Sequence, residues 1–169
     1  MDHKTSLTQH INAPADKVWA VISDIPGSAA TLSSVDSIQM LTEGPYAEGT
    51  RWKETRTMMG RAETVEMWVS QSEPPSHRTG GSAGDSAAGT AAGSTTVKAL
   101  QGGADYTTCF VLVDRDGGTD LTLTFGAEVV QPTRLSKVMM AVFGAIGMRI
   151  TRKALAKDLA EIAAKAESL

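Results

Sequence analysis

Apolar and polar positions alternate through the first three quarters of the chain and then change to a helical spacing. Residues 3–12, Val35–Glu43, Gly49–Met58, Arg61–Glu73, Val97–Gln101, Asp105–Asp114 and Thr119–Val130 read as strands. Most are separated by short connections, as in a meander of antiparallel strands. Between the first two lies NAPADKVWAVISD, Asn12–Asp24, which opens with Asn12, has Pro14 near its first turn and places Val18, Trp19, Val21 and Ile22 on one broad face. That pattern predicts a short amphipathic helix. Ile25-Pro26-Gly27 ends it, and Ser28–Ser33 has the makings of a second, weaker helical turn. From Thr133 onward Leu135, Val138, Met139, Val142, Phe143, Ile146 and Ile150 recur at helical spacing, and Leu155, Leu159, Ile162 and Ala166 continue it. A C-terminal helix of roughly eight to ten turns follows. Its run from Val138 to Ile146 is nearly all apolar, but Lys137 and Arg149 bound it. At about a dozen residues it is too short to span a membrane.

One segment fits neither period. In TGGSAGDSAAGTAAGSTT, Thr79–Thr96, every residue but Asp85 is Gly, Ala, Ser or Thr. Such a run buries too little apolar surface to offset the entropy of ordering it, which predicts a flexible loop over 79–96. A disordered insertion, a lid and a partner-binding segment are its three readings, and composition favours the first. Strand-like sequence on both sides makes it an insertion within one domain rather than a linker, and the 169 residues suit a single domain.

Composition then removes several classes of function. Cys109 is the one cysteine, so an internal disulfide and a paired-cysteine zinc site are excluded, and its outward parity with no neighbouring base argues against a nucleophile. His3, His10 and His77 lack the spacing of metal ligands; no metal and no cofactor are expected. The N-terminus has no apolar signal region, which makes the cytoplasm the default location. A formal net charge of -3 supplies no footprint for nucleic acid. Monomer and homodimer both remain open.

The most informative register is GTRWKETRTMMGRAETVEMWVS. With Met59 and Gly60 as a two-residue turn, one face pairs Lys53 with Glu66 and Arg51 with Trp68, an ion pair and a cation over a ring that suit a wet surface. The other face pairs Trp52 with Met67, Glu54 with Val65 and Arg56 with Glu63. Two carboxylates and a guanidinium therefore stand on the inward side of the sheet. Burying them dry is costly even with Arg56 paired to Glu63, so they belong to a water-accessible cavity. The same alternation adds Tyr106, Thr108, Phe110 and Leu112, then Leu121, Leu123 and Phe125, to its wall. An apolar pocket with a few convergent polar groups is the usual make-up of a small-molecule site.

INAPADKVWAVISD at Ile11–Asp24, EGTRWKE at Glu48–Glu54, VSQSEPP at Val69–Pro75 and GGTDLTLTF at Gly117–Phe125, followed by the apolar C-terminal helix, resemble the START-like or SRPBCC superfamily, in its polyketide cyclase/dehydratase-like branch. The aromatic residue often found in that family's short second helix is absent, and Leu32 stands near its place. The resemblance implies an α+β helix-grip fold: a curved antiparallel sheet of about six to seven strands wrapped around the long C-terminal helix with an internal cavity. It places the mouth at Met58–Arg61 and Gly102–Asp105, and the Gly/Ala/Ser-rich loop at the opposite end.

The resulting expectation is binding of a small, largely hydrophobic ligand, lipid-like or aromatic polyketide-like. Its wall is Trp52, Met58, Val65, Met67, Tyr106, Thr108, Phe110, Leu121, Leu123, Phe125, Met139, Val142, Phe143 and Ile146. Arg56 would anchor a carbonyl, carboxylate or phenolate, with Glu54 and Glu63 as its partners. Two other classes stay open. One is a cyclase or dehydratase using Glu54 or Glu63 as base and Arg56 to stabilise an enolate. The other is a protein-interaction module whose cavity its own side chains fill.

Overall fold

The computed structural model describes residues 3–58, 60–76, 91–129 and 145–169. Seven strands, β1 (His3–Ile11), β2 (Val35–Met40), β3 (Arg51–Met58), β4 (Arg61–Glu73), β5 (Ala91–Gln101), β6 (Ala104–Arg115) and β7 (Gly118–Val129), form one sheet in the order β1-β7-β6-β5-β4-β3-β2. Every neighbouring pair is antiparallel. Two helices, α1 (Ala15–Ser23) and α2 (Ser28–Thr31), carry the chain from one edge strand to the other. The last element, α3 (Ala145–Glu167), packs on α1 and on β1 and β7. This is the α+β helix-grip architecture. Register shifts at Val35/Ser37, Val69/Gln71 and Ala91/Gly93 mark irregularities of the kind that bend a sheet.

The predicted strands recur with small changes at their ends, and the β3–β4 hairpin has the expected register throughout, from Arg51 opposite Trp68 to Met58 opposite Arg61. Gly60 makes the turn possible, at a φ of 77° that L side chains rarely adopt. Three expectations need correction. Helix α1 begins at Ala15, not Asn12: Pro14, extended at ψ 157°, caps it, and its carbonyl accepts from the amides of Lys17 and Val18. Asn12 instead donates its amide to Glu167 of α3 at 2.8 Å, tying the end of that helix to the end of β1.

The second correction concerns the segment expected to be a loop over 79–96. Its last six residues are strand: β5 starts at Ala91, and Ser94, Thr95 and Thr96 pair with both β4 and β6. Small side chains there meet a steric requirement, since a Cβ on Gly93 would come within 2.9 Å of the Glu73 carbonyl oxygen. Residues 79–90 of that segment lie outside the described residues, as do 133–144 of the predicted C-terminal helix. Third, Glu66 faces Lys53 across the hairpin but forms its ion pair with Arg51.

Burial divides into two clusters. One joins Ile11, Val18, Leu112, Leu121, Leu123, Leu159, Ile162 and Ala166 where α1 and α3 cross the sheet. The other joins Ile25, Trp52, Val69 and Val97 near the opposite edge. Among the described residues no helix is long and apolar enough to cross a membrane.

Candidate functional site

A cavity of about 340 Å³ lies between the two buried clusters and borrows Leu123 and Ile162 from the first, Ile25, Trp52 and Val97 from the second. Of the residues the strands supply to its lining, Trp52, Glu54, Arg56, Glu63, Val65, Met67, Tyr106, Thr108, Phe110, Leu123 and Phe125 were expected, and Val97, Lys98, Ala99 and Gln101 of β5 were not. Leu112 and Leu121 were expected there too, but both are fully buried in the solid cluster with Leu159 and Ile11, where β6 and β7 meet α1, and contribute no wall. Met139, Val142 and Phe143 lie outside the described residues, and so do the side chains of Met58 and Ile146.

Sequence reasoning missed the wall opposite the sheet. Val21, Ile22, Thr31 and Leu32 from α1 and the α2 region complete it, with Tyr46 from the β2–β3 connection and Ala154, Leu155 and Asp158 from α3. The helical periodicity that picks out Leu155, Leu159 and Ile162 also places Asp158 on the same stripe, and a carboxylate in an apolar stripe calls for a cation.

That cation is Arg56. Its Nη1 donates to Asp158 Oδ2 at 2.7 Å and to Ser34 Oγ at 2.8 Å, and its Nε donates to Glu54. Ser34 Oγ in turn donates to Asp158 Oδ1 at 3.0 Å, and the Trp52 indole N–H points to Glu54 Oε2 at 3.4 Å. Glu54 is 8% exposed and Asp158 5%. Burial alone would pull the Arg56 pKa down, but the charges and hydrogen bonds of Glu54 and Asp158 outweigh it and hold it above its ordinary value. The expected Arg56–Glu63 pair does not form although the two residues face each other across the hairpin. The Arg56 side chain runs toward α3, and Glu63, exposed at the strand end, accepts from Gln101 Nε2 at 2.9 Å.

Two phenols complete the polar lining. Tyr46 Oη lies 2.7 Å from Thr95 Oγ1, whose own proton goes to the Gln71 carbonyl at 2.9 Å, so the tyrosine is the donor. Its ring meets Trp19 edge to face at 6.0 Å. Burial pushes the Tyr46 phenol above its ordinary value. Tyr106 stacks on Phe125, and burial, then the charge of Glu63, push its phenol up as well. Outside the lining, Glu161 takes both the hydroxyl and the amide of Ser33, and the hydroxyl bond above all holds its carboxyl below the ordinary value. Together with Asp158 on Ser34, it pins the α2–β2 connection to α3. Among the described residues no three His, Cys, Asp or Glu side chains converge as a metal site requires.

A model of the family described as polyketide cyclase/dehydrase and lipid transport matches residues 2–167. The chain belongs to that family. Members of the polyketide cyclase/dehydrase and lipid transport family share the SRPBCC ligand-binding fold, and solved structures agree with the assignment. The crystal structure of TTHA0849 from Thermus thermophilus superposes with a TM-score of 0.71 at 14% identity, covering 98% of each chain. The Zhui aromatase/cyclase from Streptomyces sp. R1128 gives 0.69 at 16% identity, covering 99% of this chain and 94% of its own. A START superfamily protein from Mycobacterium smegmatis gives 0.67 at 12% identity, covering 98% of each. No curated protein matches the chain. At these identities the neighbours show the helix-grip fold alone. The chemistry of this family member has to come from its own side chains.

Proposed function

We propose that the cavity binds a small, largely hydrophobic ligand, lipid-like or aromatic polyketide-like. The observation that carries this reading is the cavity itself: about 340 Å³, within the range of small-molecule sites, walled mainly by aliphatic and aromatic side chains with one convergent polar cluster. Membership of a family described by polyketide cyclisation and lipid transport is consistent with it. Arg56 is already engaged by Glu54 and Asp158, so its role is to hold the polar cluster in place rather than to serve as a free anchor.

Native mass spectrometry of the purified protein and titration with the neutral fluorescent probe N-phenyl-1-naphthylamine test the reading together. A retained small molecule or a saturable rise in probe fluorescence is expected. Ala99, 4% exposed on the cavity wall, offers the control: Ala99→Phe places a ring in the cavity and should reduce probe binding at least tenfold with the fold retained. No retained molecule and no probe binding, or equal binding by the variant, would overturn it.

A cyclase or dehydratase activity is the second reading, and Glu63 with Tyr106 favours it over Glu54. Glu63 is a cavity carboxylate whose described partner is the neutral Gln101, and the nearby Tyr106 phenol stays protonated as a donor. Turnover of an aromatic polyketide-like substrate that is lost in Glu63→Gln would establish it; turnover that survives the change would remove Glu63 from the reaction.

A further inference from the structure

The charge of the cavity restricts what can enter it. The charged residues lining it, among those described, are Glu54, Glu63 and Asp158 against Arg56 and Lys98, and Lys98 alternates with the inward-facing Val97 and Ala99. Lys98 is shared with Asp105, 3.7 Å away. Arg56 spends its Nε on Glu54 and its Nη1 on Asp158 and Ser34, which leaves Nη2 as the guanidinium nitrogen with no recorded partner among the described residues. Each of the four oxygens of Glu54 and Asp158 accepts from one recorded donor: Oε1 from Arg56, Oε2 from Trp52, Oδ1 from Ser34 and Oδ2 from Arg56. A carboxylate oxygen has room for a second donor, so the cluster can still accept more hydrogen bonds. Its net charge, two carboxylates and one guanidinium, is negative. An organic anion placed against it would meet like charge in surroundings that screen poorly, and its oxygens would find one free nitrogen among several acceptors.

We infer that the cavity takes ligands that present hydrogen-bond donors, a neutral hydroxyl or an ammonium group, to the Glu54–Asp158 pair, and excludes organic anions of the same size. The inference rests on the cavity-binding reading above. It reverses the expectation that Arg56 anchors a carboxylate or phenolate, because the protein's own acids already occupy that role.

Three naphthalene compounds of similar bulk separate the effects of charge from those of hydrophobicity. 2-Naphthol, 2-naphthylmethylammonium and 2-naphthoate would each be titrated against bound N-phenyl-1-naphthylamine at neutral pH and fixed ionic strength. Loss of hydration penalises both ions, so a cavity that merely dislikes charge would disfavour the ammonium and the carboxylate alike. The expected result is that naphthol and the ammonium compound each displace the probe at concentrations at least tenfold below naphthoate. Glu54→Gln should narrow the gap between ammonium and naphthoate at least threefold, and Asp158→Asn provides the same reading if the first variant folds poorly. Naphthoate equal to or better than the ammonium compound would overturn the inference while leaving the binding reading intact. So would a gap unchanged in the folded variant. If N-phenyl-1-naphthylamine itself fails to bind, the cavity-binding reading falls and takes this inference with it.

Discussion

Replacing Arg56 with Met removes the one cation that Glu54 and Asp158 share while keeping most of the side-chain length. The two carboxylates, 8% and 5% exposed, then face each other across the β3–α3 contact with Ser34 and Trp52 as their remaining donors. Breaking a buried ion pair by removing one partner costs about 3–5 kcal/mol. Arg56 itself is 28% exposed, so water relieves part of that penalty and the lower end, about 3 kcal/mol, is the expected loss. For a chain of this size that corresponds to a melting temperature lower by roughly 6–12 °C. Urea unfolding followed by tryptophan fluorescence suits the measurement, since Trp52 is 2% exposed and sits beside Glu54. Neutralising all three groups, with Arg56→Met, Glu54→Gln and Asp158→Asn together, should recover much of the lost stability, as buried ionic networks often do when replaced as a unit. A loss below about 1 kcal/mol, or a triple variant no more stable than Arg56→Met alone, would refute the assignment of Arg56 to this cluster.

Two further outcomes are expected. The chain has 2 tyrosines and both phenols are pushed above 10.0, so phenolate absorbance in an alkaline titration should rise late, and a folded-state midpoint at or below 10.0 would contradict the buried placement of the two rings. The sign follows: below pH 10.0 neither state gains or loses these protons, and above it the unfolded chain releases protons that the folded chain retains, so stability falls. Gly118→Ala would put a Cβ 2.4 Å from the Ile11 carbonyl oxygen where β7 begins beside β1, and should cost about 1–3 kcal/mol in urea; an unchanged midpoint would show that the strand ends shift freely.

The strands and their facing were legible because alternation and one turn constrain each other. Placing Met59 and Gly60 at the turn fixes Trp52 against Met67 and Arg56 against Glu63 without further information, and a slip by one residue would turn every apolar side chain outward. Register gives backbone neighbours, however, and a long side chain chooses among all the groups within its reach. Arg56 has Glu63 opposite and Asp158 across the cavity, and the buried acid wins because leaving Asp158 unpaired would cost far more than leaving the exposed Glu63 to Gln101 and water. The start of β5 was hidden for a different reason. Gly93, Ser94 and Thr95 lack the apolar bulk that marks a strand, and what holds them is contact with the β4 backbone and a hydrogen-bonded hydroxyl, neither of which leaves a periodic trace. Tyr46 sits in a connection, where no period exists to place it.

The division of the interior into two buried clusters explains why a charged group is kept at its centre. Between Leu159 and Ile162 on one side and Trp52 and Val97 on the other, a solid core would bring apolar side chains of α3 down onto β3 and β4. The cavity takes that place, and the contact between α3 and β3 passes through Asp158, Arg56 and Ser34 instead. Such a contact depends on hydrogen-bond reach rather than on close packing, so it can hold a helix over an open volume that aliphatic side chains would have to fill. Binding capacity and stability then pull in opposite directions at the same residues. Filling the cavity from Ala99 should remove the ligand site without the destabilisation expected of an ordinary overpacked core, because the added ring enters existing space. If Ala99→Phe instead unfolded the protein, the wall around Ala99 would be close-packed and the volume for a ligand would have to lie elsewhere in the cavity.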